Sequence, residues 1–135
     1  MKNFVRQFSV KQIVLSDVFL TAPLALALIL APESIARWAG GPGATFYLVV
    51  GIALLLWCVD MAAMAMNERW LEKYFNLMIA GDVIWSLLSL ALMVWFAQSL
   101  QPLGWVLFAL NVLVPLDMAW MKRVAAGKPN QPAFR

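Results

Sequence analysis

Four aspartates stand inside otherwise apolar stretches of this chain: Asp17, Asp60, Asp82 and Asp117. Asp82 is the most conspicuous, set within Ile79-Ala80-Gly81-Asp82-Val83-Ile84-Trp85-Ser86-Leu87-Leu88-Ser89-Leu90. A carboxylate in such surroundings must be protonated, paired or hydrated, so the chemistry these residues offer is reversible binding of a proton or cation. The composition removes most other chemistry. There is no histidine, and Cys58 is the only cysteine. An intrachain disulfide, a zinc site of the Cys/His type, a His-ligated haem and a Ser-His or Cys-His catalytic pair are therefore excluded. Catalysis by aspartates alone would need a bound metal or a lipid substrate, for which no motif is visible, so no enzymatic activity, metal or cofactor is expected.

The elements that must position these acids are membrane spans. The chain is 64% hydrophobic and 13% charged, with a mean hydropathy of +0.81, whereas soluble domains are about 45–50% apolar and about 25% charged. Within 135 residues, four spans of about 20 residues each leave no room for a soluble catalytic domain. The reading is a single all-α membrane domain, a four-transmembrane-helix antiparallel bundle. Its spans fall at about 13–31, 44–66, 74–98 and 105–121, followed by an extended basic tail over 122–135.

Between and before the spans, 1–12 suits an interfacial helix or a plain flanking segment, with Phe4 and Phe8 among Lys2, Arg6 and Lys11. Its basic start followed by an apolar run resembles a signal peptide, but Asp17 interrupts the run, which favours a first span. Pro23 should kink that span or free a carbonyl. In the loop 32–43, Ile35 and Trp38 are expected on the interface and Glu33 and Arg37 paired at i,i+4. The Gly40-Gly41-Pro42-Gly43 turn lacks the lysine and strand of a phosphate loop. Gly51 and Ala53 in the second span, and Gly81, Ser86 and Ser89 in the third, offer close helix packing. Trp38, Trp70, Trp105 and Trp120 fit interfacial belts, while Trp57, Trp85 and Trp95 are interior, for packing or for stacking on a ligand.

Nine of the ten basic residues fall on one side of the spans and only Arg37 on the other. This makes that side, and both termini, cytoplasmic. The net charge of +3 sits at helix ends, so no nucleic-acid partner is expected. With alternating span directions, Asp17, Asp60, Asp82 and Asp117 lie roughly 6, 9, 12 and 6 Å below the same cytoplasmic boundary. One acid from every helix would thus enter one layer. Lys11, Arg69, Lys73 and Arg123 are the expected counter-charges, and Ser16, Asn76, Ser86, Asn111 and Trp120 the expected hydrogen-bond donors. The alternative is that each acid merely anchors the bundle near its rim.

Leu15-Ser16-Asp17 opening the first span, the Pro/Gly loop, Gly51, and Asp82-Val83-Ile84-Trp85 with Ser89 resemble a group of small bacterial four-helix integral membrane proteins, as does the acid before a basic end in the fourth span. The resemblance covers about 13–123, and an asparagine often stands in that group where Asp82 stands here. The group has no assigned activity, so the resemblance implies architecture and little else; the expected location is the bacterial inner membrane. In size, helix number and an acid in the first helix, the chain is also similar to small multidrug-resistance transporters, whose essential acid Asp17 would match. It departs from them in the surrounding pattern, in the acid's nearness to the membrane edge and in its longer 32–43 loop.

Two functions are therefore expected. One is a non-catalytic accessory subunit that binds other transmembrane proteins or a second copy of itself in the lipid bilayer. The alternative is a small proton-coupled transporter or proton/cation channel. The candidate site residues for either are Asp82, Asp17, Asp60, Asp117, Asn76, Trp85 and Asn111.

Overall fold

The first helix begins where Ser9 caps it. The Ser9 hydroxyl accepts from the Gln12 N–H at 3.2 Å and the Gln12 side chain accepts from the Ser9 N–H at 2.9 Å, a reciprocal box that satisfies two otherwise orphaned donors. Helix α1 (Val10–Leu30) then runs to the short α2 (Pro32–Ala39), whose first turn holds Pro32. Next come α3 (Ala44–Ala65), α4 (Glu68–Lys73), α5 (Phe75–Trp95) and α6 (Pro102–Ala126). The computed structural model describes residues 9–127. The segment 1–8 of the expected interfacial helix and 128–135 of the expected tail lie outside the described residues. Four helices, α1, α3, α5 and α6, are long and apolar enough to cross a membrane. Among the described residues the only β pairing is an isolated bridge between Gly40 and Leu100.

Four helix boundaries depart by more than a residue from the expected spans: α5 ends at Trp95 instead of 98, α6 begins at Pro102 instead of 105, and two others bear on the site. The first spanning helix starts at Val10, taking in Lys11 and Gln12, and the last runs on to Ala126, taking Lys122 and Arg123 out of the expected tail. Basic residues ordinarily mark the end of a span because an ammonium is costly in hydrocarbon. Lys122 escapes that rule because its charge is met inside the bundle.

Each spanning helix is apolar on all sides, so burial follows a stripe that hydrophobicity alone does not reveal. The buried positions keep to one side of each helix, recurring at about every one or two turns: Val10, Ile13, Val14, Asp17, Ala25 and Leu28 on α1, and Phe75, Met78, Ile79, Asp82, Ser86 and Ser89 on α5. On α3 they include Gly51, Cys58 and Ala65, and on α6 Gly104, Met118, Lys122 and Ala125. This is the 3.6-residue period of one helix face. The opposite faces carry large exposed apolar groups, with Phe19 79% and Trp95 82% exposed, as suits helices whose solvent is lipid.

The helices associate as two pairs, α1 on α3 and α5 on α6. Within the first pair the contact is closest at Gly51. A Cβ there would lie 2.8 Å from Leu28 Cβ and 3.0 Å from the Ala25 carbonyl oxygen. The pairs join at both ends. At one end Val10, Ile13, Val14, Met61, Phe75, Met78 and Met118 form one core. At the other, Ala25, Leu28, Tyr47, Leu54, Leu100 and Phe108 form a second. Backbone hydrogen bonds clamp that second end: Gln101 N–H donates to Ala39 O at 2.8 Å and Gly41 N–H to Ser99 O at 3.1 Å. The Tyr47 hydroxyl donates to Gly40 O at 2.8 Å. Gly40 has a φ of +67°, in the left-handed region where a side chain would add strain. In α2, Ile35 is half-buried against this core and Trp38 is exposed. The expected Glu33–Arg37 pair is not formed, because both side chains are exposed to solvent that satisfies them separately.

Enlarging Gly51 should separate α1 from α3. Gly51→Leu is expected to lower unfolding stability in mild detergent by about 1–3 kcal/mol. Gly127→Ala, whose Cβ would meet nothing nearer than 3.6 Å, should leave the thermal midpoint unchanged.

Candidate functional site

Lys122 lies on the buried stripe of α6, in register with Met118 and Ala125. Side chains on a helix lean toward its N-terminus, so this one is directed back into the bundle and not out of the helix end. It is 0% exposed. Its Nζ donates to Asp17 Oδ2 at 2.9 Å and to Asp82 Oδ2 at 2.5 Å, with Met61 Sδ at 3.9 Å. Asp17 and Asp82 are themselves only 4% and 3% exposed. One ammonium thus ties α6 to both α1 and α5.

The neighbouring groups complete the site unevenly. Thr21, one turn beyond Asp17, donates from its hydroxyl to Asp17 Oδ1 at 3.3 Å. Asp82 Oδ1 accepts no hydrogen bond among the described residues. Asp17, Asp82 and Lys122 are the only buried charged side chains among them. With both carboxyls ionised the cluster carries one excess negative charge, and a single added proton neutralises it. The arrangement can therefore hold a proton or a cation and exchange it for the lysine's own contacts.

The expected residues divide cleanly. Asp17 and Asp82 are brought together. Asp60 and Asp117 are exposed, and the four-acid layer is corrected to two acids and a lysine. The reason is helical phase: Asp60 immediately precedes the buried Met61 and Asp117 the buried Met118, and one residue turns the side chain by about 100°. Asn76 is exposed and its side chain makes no hydrogen bond among the described residues. Trp85 and Asn111 do meet: the indole N–H donates to Asn111 Oδ1 at 3.2 Å, and the Asn111 amide donates to Leu107 O at 2.8 Å. Ser16 is spent on its own helix, donating to Gln12 O at 2.8 Å. The Ser86 hydroxyl is buried without a partner. Trp120 is half-buried against the first core.

Among the described residues Lys11, Arg69, Lys73 and Arg123 pair with no carboxylate, and Lys73 instead lies over the Tyr74 ring at 5.3 Å. The cation that matters, Lys122, was absent from the expected set because it directly follows an apolar span and so reads as a topology signal. Its place on the inward face would have found it, since Gly104, Asn111, Met118 and Ala125 recur every seven residues on the same helix and Lys122 falls four after Met118 and three before Ala125. Thr21 was detectable as the hydroxyl one turn from Asp17.

Above the cluster, between the two helix pairs, lies a cavity of about 480 Å³. Asp17, Thr21, Trp57, Asp82, Trp85 and Asn111 contribute to its walls. Trp57 crosses from α3 to α5 and rests on Gly81, where a Cβ would come 2.5 Å from the ring. Pro115, also in the wall, has no N–H to give the Asn111 carbonyl one turn before it. Among the described residues no three or more Cys, Asp or Glu groups come together as a metal site would require.

Removing the ammonium should expose how the cluster is balanced. Lys122→Met is expected to destabilise the protein by about 3–5 kcal/mol, since it leaves buried carboxylates unpaired. The triple variant Lys122→Met, Asp17→Asn, Asp82→Asn should recover a large part of that loss. Unfolding in mild detergent measures both, and a triple variant no more stable than the single one would disprove this charge balance.

No protein-family model, curated protein or solved structure matches this chain.

Proposed function

We propose that this chain is a small proton-coupled transporter of the bacterial inner membrane, an antiparallel four-helix bundle with both termini cytoplasmic. The observation that carries the proposal is the Lys122 ammonium held between Asp17 and Asp82 at the foot of a cavity that separates the two helix pairs. The orientation rests on charge. With Lys122 consumed inside the bundle, Lys11, Arg69, Lys73 and Arg123 still flank the end that holds the cluster, and Arg37 alone of the described basic residues lies at the other. A proton on either carboxyl weakens that carboxyl's hold on Lys122. Because Asp17 is on α1 and Asp82 on α5, the lysine then favours one helix pair over the other, and the packing between pairs changes with it. A cation arriving at Asp82 has the same effect. This is a two-state element biased by charge, which coupled transport requires. Absence of histidine and of a second cysteine supports a non-catalytic role.

A second reading, an accessory subunit bound to other transmembrane proteins or to another copy, is favoured by Asp60 and Asp117. Both are exposed on apolar helices. An aspartate facing hydrocarbon costs about 2.5–3.5 kcal/mol at the middle of a helix and less toward the interface, a cost that a partner's donor would relieve.

Reconstituted liposomes separate the two. Under an imposed pH gradient the wild type is expected to carry protons, and Asp82→Asn to reduce the flux at least about tenfold, as loss of an essential group does. Unchanged flux in Asp82→Asn defeats the transporter reading. For the second reading, Asp117→Leu should abolish co-purification of a partner or a second copy in mild detergent while leaving the thermal midpoint unchanged.

A further inference from the structure

We infer that the cavity between the helix pairs is a binding site for a lipid-dissolved amine: an ammonium bearing N–H groups on an apolar chain or ring, entering sideways from the bilayer. The inference names the substrate class of the transport reading and rests on it.

The acceptor comes first. Asp82 is almost fully buried, lines the cavity, and leaves Oδ1 without a donor among the described residues. Trp85 N–H, the Thr21 hydroxyl and all the Lys122 contacts are already committed. The cavity thus holds a spare carboxylate acceptor at Asp82, which only a donating ligand can use. Two carboxylates against one ammonium also leave a negative charge to be met. A cation with N–H groups answers both conditions, whereas a neutral alcohol answers only the first and a quaternary ammonium only the second.

The walls specify the remainder of the ligand. They are otherwise apolar, with the Trp57 and Trp85 rings beside Asp82. A second cavity of about 220 Å³ shares Leu24, Ala53, Leu88 and Leu107 with the first and continues to Leu92. From Asp82 to Leu92 the continuous space runs about 15 Å along α5. Ile84 and Leu88 line it yet are 64% and 51% exposed, and Ala53 of α3 is exposed as well. The space therefore opens laterally between α3 and α5, at the level of the acyl chains. A ligand held there hydrogen-bonds at one end and is enclosed by apolar side chains along its body, the usual division of labour in small-molecule sites.

The test is binding of radiolabelled decylamine at neutral pH to the full-length protein in nanodiscs, with empty nanodiscs as background. Saturable binding is expected. Unlabelled decyltrimethylammonium and decanol should each compete at least about tenfold more weakly than decylamine, the effect of losing one charge-assisted hydrogen bond or the charge itself. Asp82→Asn should weaken binding by a similar factor. Should that variant fail to fold, Ala53→Phe, which fills the cavity away from the cluster, is expected to abolish binding while keeping the thermal midpoint. Binding that does not saturate above empty discs overturns the inference. So does equal competition by the quaternary amine, or binding untouched by Ala53→Phe. Saturable binding without proton-driven uptake would keep this site and remove the transporter reading. Proton flux without saturable amine binding would remove the inference alone.

Discussion

A lysine ammonium enclosed by apolar helices must find carboxylates, and the structure is arranged around that requirement. Lys122 meets Asp17 on α1 and Asp82 on α5 from its place on α6, so three of the four spanning helices are registered against one another by a single charged atom. Buried ion pairs are poor sources of net stability, since desolvation offsets most of the attraction, but they are demanding about geometry. The hydrocarbon-facing surface makes no such demand. Specificity of assembly is therefore concentrated in the cluster and in a few close contacts such as Gly51 on Leu28 and Trp57 on Gly81.

Joining at both ends leaves the middle open. The Lys122 end is sealed by a methionine-rich core and the other by backbone hydrogen bonds between the two loops. Between these seals the helix pairs do not interlock, and the cavity occupies the gap. The two prolines within spanning helices, Pro23 and Pro115, both occur in this middle region. A bundle meant only for rigidity would fill that volume with side chains, because packing is the main attraction between helices in lipid.

The number and rough placement of the spanning helices were legible because length and apolarity suffice to mark a span. Which way each helix faces was not. In an aqueous protein the polar face declares itself, but these helices are apolar all round, and the phase of every acid was left open. Asp17 and Asp82 differ from Asp60 and Asp117 by register alone. Phe75, Asp82 and Ser89 recur every seven residues, as do Gly51, Cys58 and Ala65, whereas Asp60 falls one place off Tyr47, Leu54 and Met61, and Asp117 one place off Gly104, Asn111 and Met118. Small and polar residues, not hydrophobic ones, carry the period here. Reading basic residues as markers of a span's edge concealed the one that had gone inside. Trp85 and Asn111, candidate site residues by sequence, hydrogen-bond to each other between α5 and α6, a pairing that residues 26 apart on two apolar helices do not announce.

The lysine's place after both carboxylates in the chain has a consequence for biogenesis. A ribosome delivers Asp17 and Asp82 to the membrane well before residue 122 is made. During that interval each carboxyl is without its counter-ion, and insertion is cheaper if it carries a proton or keeps to the aqueous border. Arrival of α6 changes the state of both at once, as one ammonium replaces protons or water at two sites. The final helix thus acts as a latch, and chains truncated before Lys122 would hold the same three earlier spans but lack the charge that registers them. Folding of this small bundle is in that sense completed from its C-terminal side, by the residue that also defines its site.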